Sequence, residues 1–316
     1  MTDLALVVAR FVHIGAAILL FGEMLFALML ARMGVGTSGN GVSPARMRRN
    51  IAWALVASAL SWAAWLGIVA GRMAGTALRQ AIDVSTATLV LRESEFGHWW
   101  CIRIGVLAIL AIAWSAIRRS ADAGGQDKTR LLALALAAVY LATLAFAGHA
   151  TAATQGAWRV VHLFCDALHA LAAGAWLGAL PALVALLRSG QPNVMITRGT
   201  HVFSILGITS VSALLVTGTV NACFLVGSVA ALFDTPYGQL LIAKVAAFAA
   251  MLSIASVNRL RLAPRLSIND VAAASQLRRN ATLEICGGVL IMAIVATLGT
   301  MVPAAHQLPA SMHQMR

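Results

Sequence analysis

Eight stretches of this chain stay apolar for about 20 residues at a time, the length a helix needs to cross a hydrocarbon core about 30 Å thick. They are Leu4–Leu30, Ile51–Met73, Trp99–Ile117, Leu131–Gly148, Val160–Leu187, Val202–Val226, Gly238–Val257 and Ala281–Val302. Lipid offers no partner to an exposed backbone amide, so open-ended segments of this kind must be helical. The composition agrees: 60% of the residues are hydrophobic and 11% charged, against roughly 25% charged in an average soluble domain. The expected fold is an all-α polytopic membrane protein of eight transmembrane helices, with residues 1–316 forming a single transmembrane domain.

The formal net charge of +12 raises nucleic acid as a partner, but the distribution of charge argues for a lipid bilayer instead. Arg46, Arg48 and Arg49 lie between spans 1 and 2. Arg118, Arg119, Lys128 and Arg130 lie between spans 3 and 4, and Arg188 and Arg198 between 5 and 6. Arg259, Arg261, Arg265, Arg278 and Arg279 lie between 7 and 8. The alternate loops carry mainly Arg79, Arg92 and Arg159, accompanied by Asp83, Glu93 and Glu95. Basic loops remain in the cytoplasm, so both termini are expected to be periplasmic. The first apolar stretch is too long for a signal core and lacks a basic leader, so it reads as a retained helix. Cys101, Cys165, Cys223 and Cys286 have no C-x-x-C spacing and suggest neither a disulfide framework nor a zinc site.

The chain also repeats itself. His13 is followed at offsets of three, four, nine and nineteen by Ala16, Ala17, Gly22 and Arg32, and His169 at the same offsets by Ala172, Ala173, Gly178 and Arg188. Phe96-Gly97 leads to Arg103 and Arg118 as Tyr237-Gly238 leads to Lys244 and Arg259. Two parallel four-helix repeats are expected, about 1–150 and about 151–307, with a tail at 308–316. An even number of helices per repeat gives both copies one orientation. Each histidine then lies roughly 13 Å below the outer surface, near the midplane, by helical rise. If spans 1 and 5 meet, the two imidazoles converge. Three residues earlier stand Arg10 and Asp166, expected to pair across the join, since an ionisable group at this depth is costly alone. The alternative is that Arg10 snorkels outward.

On this topology His13, His98, His149, His162, His169, His306 and His313 fall in the outer half, and His201 at a cytoplasmic end. In span 5, His162, Asp166, His169 and Trp176 form one stripe with Cys165 at its edge. A carboxylate beside a histidine can hold its second ring nitrogen, the usual support for a metal ligand. Imidazole with thioether or thiolate favours copper, Cu(I) or Cu(II), and Met312, His313 and Met315 in the tail read as an outer capture segment. The metal-ligand candidates are therefore His13, His149, His162, His169 and His306, with Arg10, Asp166 and Trp176 in support. A lone His98 beside Trp99 and Trp100 fits an interfacial aromatic belt. On the inner half, Glu23 and Glu284 are the carboxylates inside helices. They read either as an inner relay for a cation or proton or as partners of nearby arginines such as Arg279.

The second half resembles the copper-resistance D family (CopD-like), polytopic proteins of the bacterial inner membrane. The matching stretches are Gly148-His149-Ala150, Asp166-Ala167-Leu168-His169 and Trp176-Leu177-Gly178. They continue through Tyr237-Gly238-Gln239-Leu240-Leu241-Ile242-Ala243-Lys244, Asn258-Arg259, Leu277-Arg278-Arg279 with Glu284, then Pro303 and His306. Together they cover Ala147 to His306, and Gly178-Ala179 stands where the family pattern has Gly-Gly. The resemblance implies copper handling between periplasm and cytoplasm, usually as uptake, together with a small periplasmic copper-binding protein of the CopC type. In that picture His149 and His306 receive copper, His13 and His169 hold it, and Glu23 and Glu284 lie on the way in.

Two rivals remain open. Intramembrane histidines on facing helices also ligate b-type haem in electron-transfer proteins. A non-transporting protein that captures copper or docks a periplasmic chaperone would need only the outer histidines. A nucleotide-driven pump is not expected, for want of a Walker-type loop. No enzyme is expected either, because no nucleophile–base pattern stands out.

Overall fold

The computed structural model describes residues 2–34, 44–73, 75, 84–119, 123–147, 156–189, 193–268 and 270–306. Eight long helices correspond to the eight apolar runs. They are α1 (Thr2–Arg32), α2 (Pro44–Met73), α4 (Glu95–Arg119), α5 (Ala123–Ala142), α6 (Ala157–Leu187), α7 (Asn193–Val226), α9 (Pro236–Val257) and α11 (Val271–Leu298). Among the described residues three short α-helices accompany them: α3 (Val84–Glu93), α8 (Val229–Asp234) and α10 (Ala263–Leu266). A π-helical turn, Asn258–Leu262, joins α9 to α10.

The helices run beyond the apolar stretches at their basic ends. Helix α2 starts at Pro44 and includes Arg46, Arg48 and Arg49, α7 starts at Asn193 rather than Val202, and α11 starts at Val271 rather than Ala281. Helical hydrogen bonding does not stop where the hydrocarbon does, and charged residues there are free to project into the polar layer. Helix α11 begins on a polar cap, the Asp270 carboxylate accepting from the Ala273 amide at 2.9 Å, as Asp does at many helix starts.

Along the spans the outer surface carries large apolar side chains, and several ionisable groups are buried inside. Leu60, Ile112, Phe164 and Val216 are exposed, whereas Arg10, His13, Glu23, Arg103, His162 and Glu284 are buried. That inversion suits a lipid solvent, where ionisable groups turn toward the bundle. At the centre, α1 packs on α6 in a core containing Ala17, Leu20, Ala179, Leu180 and Leu183. Gly22 and Gly178, each nine residues past its helix's histidine, face each other at the crossing, and a Cβ on either would strike the other helix's backbone. Small residues allow this close approach, which is how helices associate in lipid.

The short helices account for the Phe-Gly and Tyr-Gly motifs. A Cβ on Gly97 would collide with the carbonyl of Val90 in α3, and one on Gly238 with the carbonyls of Ala231 and Leu232 in α8. Ser94 accepts from the Gly97 amide at 2.9 Å and donates to the Val90 carbonyl at 2.6 Å. Thr235 does the same with Gly238 and Ala231, at 3.0 Å and 2.6 Å. Each hydroxyl thus ends one short helix and caps the next long one.

Candidate functional site

Both intramembrane histidines bond to a hydroxyl 48 residues further along the chain. His13 Nδ1 lies 2.9 Å from Ser61 Oγ, and His169 Nδ1 lies 3.0 Å from Thr217 Oγ1. The Ser61 hydroxyl donates to the Ala57 carbonyl at 2.6 Å, and the Thr217 hydroxyl to the Ala213 carbonyl at 2.6 Å. A hydroxyl has one proton to give. With that proton committed to the helix, each oxygen acts as the acceptor, which fixes the histidine proton on Nδ1 and leaves Nε2 as the basic nitrogen.

The two sites differ in what meets Nε2. At His13, Arg103 donates to Nε2 at 2.7 Å, while its other terminal nitrogen donates to the Tyr140 carbonyl at 2.9 Å and Thr143 Oγ1 at 2.7 Å. Trp65, Trp100 and Tyr140 enclose the ring at 5.6, 5.4 and 5.8 Å between centroids. Trp62 and Trp100 exchange indole N–H bonds to each other's carbonyls at 2.9 and 3.1 Å. His13 therefore has both nitrogens engaged and is sealed by aromatic rings.

His169 has an open side. Lys244, which matches Arg103 in its motif, stands within electrostatic reach, yet no hydrogen bond joins it to His169 among the described residues. His169 instead lines a cavity of about 240 Å³, with Arg10, Trp65, His162, Asp166, Tyr237 and Lys244 on the same wall. Residues of α1, α2, α5, α6, α7, α9 and α11 meet there. Gly218 keeps the cavity open beside the ring, since a Cβ would sit 3.4 Å from His169 Cε1. At the matching position of the first half stands the bulky Trp62.

The expected Arg10–Asp166 ion pair is not formed among the described residues. Arg10 neither pairs directly nor snorkels: its guanidinium lies 4.5 Å from the centre of the Trp65 ring, a cation–π contact. Asp166 instead accepts from the Asn221 amide at 3.4 Å. The two charges still share the cavity, and Asp166 feels both Lys244 and Arg10. Nor do His13 and His169 converge, since His13 is absent from the cavity lining. The facing pair of imidazoles that a haem would need is not formed by these two.

The other expected residues are distributed as follows. His162 is buried, stacked on Phe224 at 4.6 Å, and lines the cavity. Trp176 leaves the stripe's partners and lines a second cavity with Glu284. His98 bonds the Arg92 carbonyl at 2.8 Å, a local tie between α3 and α4, and His201 is exposed. Cys101, Cys165, Cys223 and Cys286 are free thiols. His149, Met312, His313 and Met315 lie outside the described residues, and of His306 only the backbone is described, in a turn at Ala304–His306. Among the described residues no group of three or more His, Cys, Asp or Glu is arranged to hold a metal.

Near the basic ends of the helices, Glu23 accepts from the Asn50 amide at 2.6 Å and Glu284 from the Asn258 amide at 2.6 Å. Asparagine amides hold both carboxyl groups, the Trp176 indole also bears on Glu284, and among the described residues no arginine bonds either one. Sequence reading named the histidines and carboxylates but missed Ser61, Thr217, Asn50, Asn258, Tyr140 and Asn221. For the hydroxyls the signal was present, because Ser61 and Thr217 stand at one common offset from the two histidines. Arg103 and Lys244 were visible as matched basic positions without an assigned role.

Comparison with known proteins adds the following. Residues 1–160 match the family model described as copper resistance protein D-like, N-terminal domain. Residues 197–298 match that of copper resistance protein D. The chain is 31% identical to Copper resistance protein D of Pseudomonas syringae pv. tomato, over 96% of this chain and 98% of that one. It is 29% identical to Inner membrane protein YebZ of Escherichia coli (strain K12), over 93% and 97% respectively. It is also 29% identical to Copper transport protein CutJ of Bacillus subtilis (strain 168), over 67% of this chain and 39% of the relative. No solved structure matches.

Proposed function

This chain belongs to the copper resistance protein D family, and on that premise we propose that it binds copper at the His169 cavity and carries it from periplasm to cytoplasm. It is a multi-pass protein of the bacterial inner membrane. The basic loops orient the bundle with the His169 cavity toward the periplasm and Glu284 toward the cytoplasm. One observation carries the copper reading: His169, with Nδ1 held by Thr217, lines a cavity it shares with His162 and Asp166, and the tautomer this bond favours leaves Nε2 free to ligate.

Copper here is cargo. His169 and His162 supply imidazole, a suitable donor for either oxidation state. Thr217 fixes the His169 tautomer and ring orientation, the supporting role that metal-bound histidines generally require. Arg10 and Lys244 outnumber Asp166 in the cavity, so Coulomb repulsion favours Cu(I) over Cu(II). His13 has no lone pair to offer while Arg103 holds it, so its part is to stiffen the first half. His149, which follows the fourth apolar run in sequence, and His306, Met312, His313 and Met315, which follow the eighth, receive copper from a CopC-like partner.

The test is metal content and an optical spectrum of the purified protein, wild type beside His169→Gln and His13→Gln. Copper is expected in wild type and in His13→Gln, and to be lost in His169→Gln. Copper retained in His169→Gln would move the site to the periplasmic histidines and favour capture without transport. A Soret band lost in the same variant would make the protein a cytochrome. Direction is read from copper accumulation in cells, which should fall in His169→Gln under uptake and rise under export.

A further inference from the structure

We propose that the second cavity is a proton-binding site in which Glu284 carries the proton, separate from the site for copper. The cavity measures about 220 Å³ and lies between α6, α7, α9 with its π-helical turn, and α11. Two buried polar side chains face it with atoms that have no hydrogen-bond partner. Glu284 is 1% exposed and Thr200 4% exposed; Glu284 Oε2 and Thr200 Oγ1 both lack a partner, and both residues line the cavity. A buried polar atom without a partner is costly, and a proton on the carboxyl lowers that cost by removing its charge.

The donor set identifies the ligand. Glu284 Oε1 accepts from Asn258 at 2.6 Å, and Asn258 Oδ1 accepts from Asn280 at 2.7 Å. The asparagine carbonyl is thereby spent, and Ser204 is engaged by Arg259 at 2.7 Å. What remains is one carboxyl oxygen, hydroxyl groups and the Trp176 indole, which bears on the same carboxyl. Copper prefers nitrogen and sulfur donors, absent from this set, and a hard metal cation needs about six oxygens. A proton needs only one carboxyl oxygen, and Glu284 Oε2 supplies it in a cavity that Thr200 keeps polar.

The charged surroundings are simple. Helix α6 contributes Trp176 and Leu183 to the wall, α7 contributes Thr200, Ser204 and Ser212, and α11 contributes Leu277 and Glu284. Arg259, on the π-helical turn, is the other charged side chain lining the cavity among the described residues. It lies at the basic end and is exposed, where solvent screens it. Glu23 is the internal control: it is equally buried, equally held by an asparagine and has an oxygen without a partner, but it is not in this cavity.

Binding of a proton here is independent of copper; only its coupling to copper movement rests on the reading above. The test is labelling of the full-length protein in detergent by dicyclohexylcarbodiimide, without copper. A protonated carboxyl gives its proton to one carbodiimide nitrogen while its oxygen bonds the central carbon, consuming one C=N bond. Rearrangement then leaves a stable N-acylurea with the whole reagent added. Peptide mass spectrometry should find the adduct on Glu284 and not on Glu23, at least tenfold faster at pH 6 than at pH 9, with none in Glu284→Gln. Thr200→Val should retain the adduct and shift its pH dependence. No adduct on Glu284, or a rate indifferent to pH, would overturn the proposal. Slowing by sodium at fixed pH would reassign the site to a metal cation. Copper bound normally while labelling fails would sink the proton site alone.

Discussion

Gly178→Ala tests the geometry on which the bundle rests. The added Cβ would collide with the carbonyl of Ile18 and lie 2.9 Å from the α-carbon of Gly22. Both are backbone atoms of α1, so no side chain can swing aside. Reaching ordinary contact requires α1 to retreat by more than about 1 Å at the crossing. A radial gap of about 0.5–1 Å forfeits a quarter to a half of each dispersion contact across it. Overpacked cores lose about 1–3 kcal/mol, and a rigid backbone contact belongs at the upper end, about 3 kcal/mol. For a chain of this size about 2 °C is lost per kcal/mol, so melting should fall by about 6 °C. The assay is thermal denaturation of purified protein in detergent, followed by size-exclusion fluorescence. Gly105→Ala is the control, because a Cβ there meets nothing within 4 Å; it should be neutral or slightly stabilising, since Ala is the better helix former. Equal melting of Gly178→Ala and wild type would refute the close crossing of α1 and α6.

Arg103→Met removes the donor to His13 Nε2, the Tyr140 carbonyl and Thr143 Oγ1, and should cost about 3 kcal/mol, read as a melting shift. An unchanged melt would mean that the arginine is not what closes the first half. Thr217→Val takes away the acceptor that holds the His169 proton on Nδ1; copper affinity measured by competition with a chelator should fall about 10- to 100-fold, while melting changes little. Asp270 is held below the usual carboxylate range, first by the Ala273 amide and then by the Arg265 guanidinium. Its folded value lies below its unfolded one, so its contribution is full above the unfolded value of about 3.9 and fades as pH falls through the folded one. Asp270→Asn should therefore flatten the loss of melting temperature between about pH 5 and pH 3.

The eight spans were legible because lipid enforces them: a run of apolar residues has no other use for its backbone. Their basic ends were not, since Arg46 or Arg198 in a helix looks the same as in a loop when only hydropathy is read. Helices α3 and α8 escaped because ten and six residues are too few to span, and their signal was the following glycine. Of the site, His169 and Asp166 were legible as polar residues that an apolar helix does not need. Their partners were not, because hydropathy along one helix says nothing about which neighbour faces it. The expected Arg10–Asp166 pair failed for that reason: Trp65 and Asn221, 55 residues beyond Arg10 and Asp166 respectively, take up the two charges instead. His13 and His169 differ in their surroundings because Arg103 reaches its histidine and, among the described residues, Lys244 does not.

The placement of tryptophan gives the protein built-in optical probes. Trp65 stands on the wall of the His169 cavity and Trp176 on the wall of the Glu284 cavity, while Trp62 and Trp100 are locked together beside His13. Indole emission responds to polarity and to nearby quenchers, so each cavity carries its own fluorophore. With Trp176→Phe the remaining cavity signal comes from Trp65, and with Trp65→Phe from Trp176. The filling of one chamber is then separable in time from a change in the other, without any added dye.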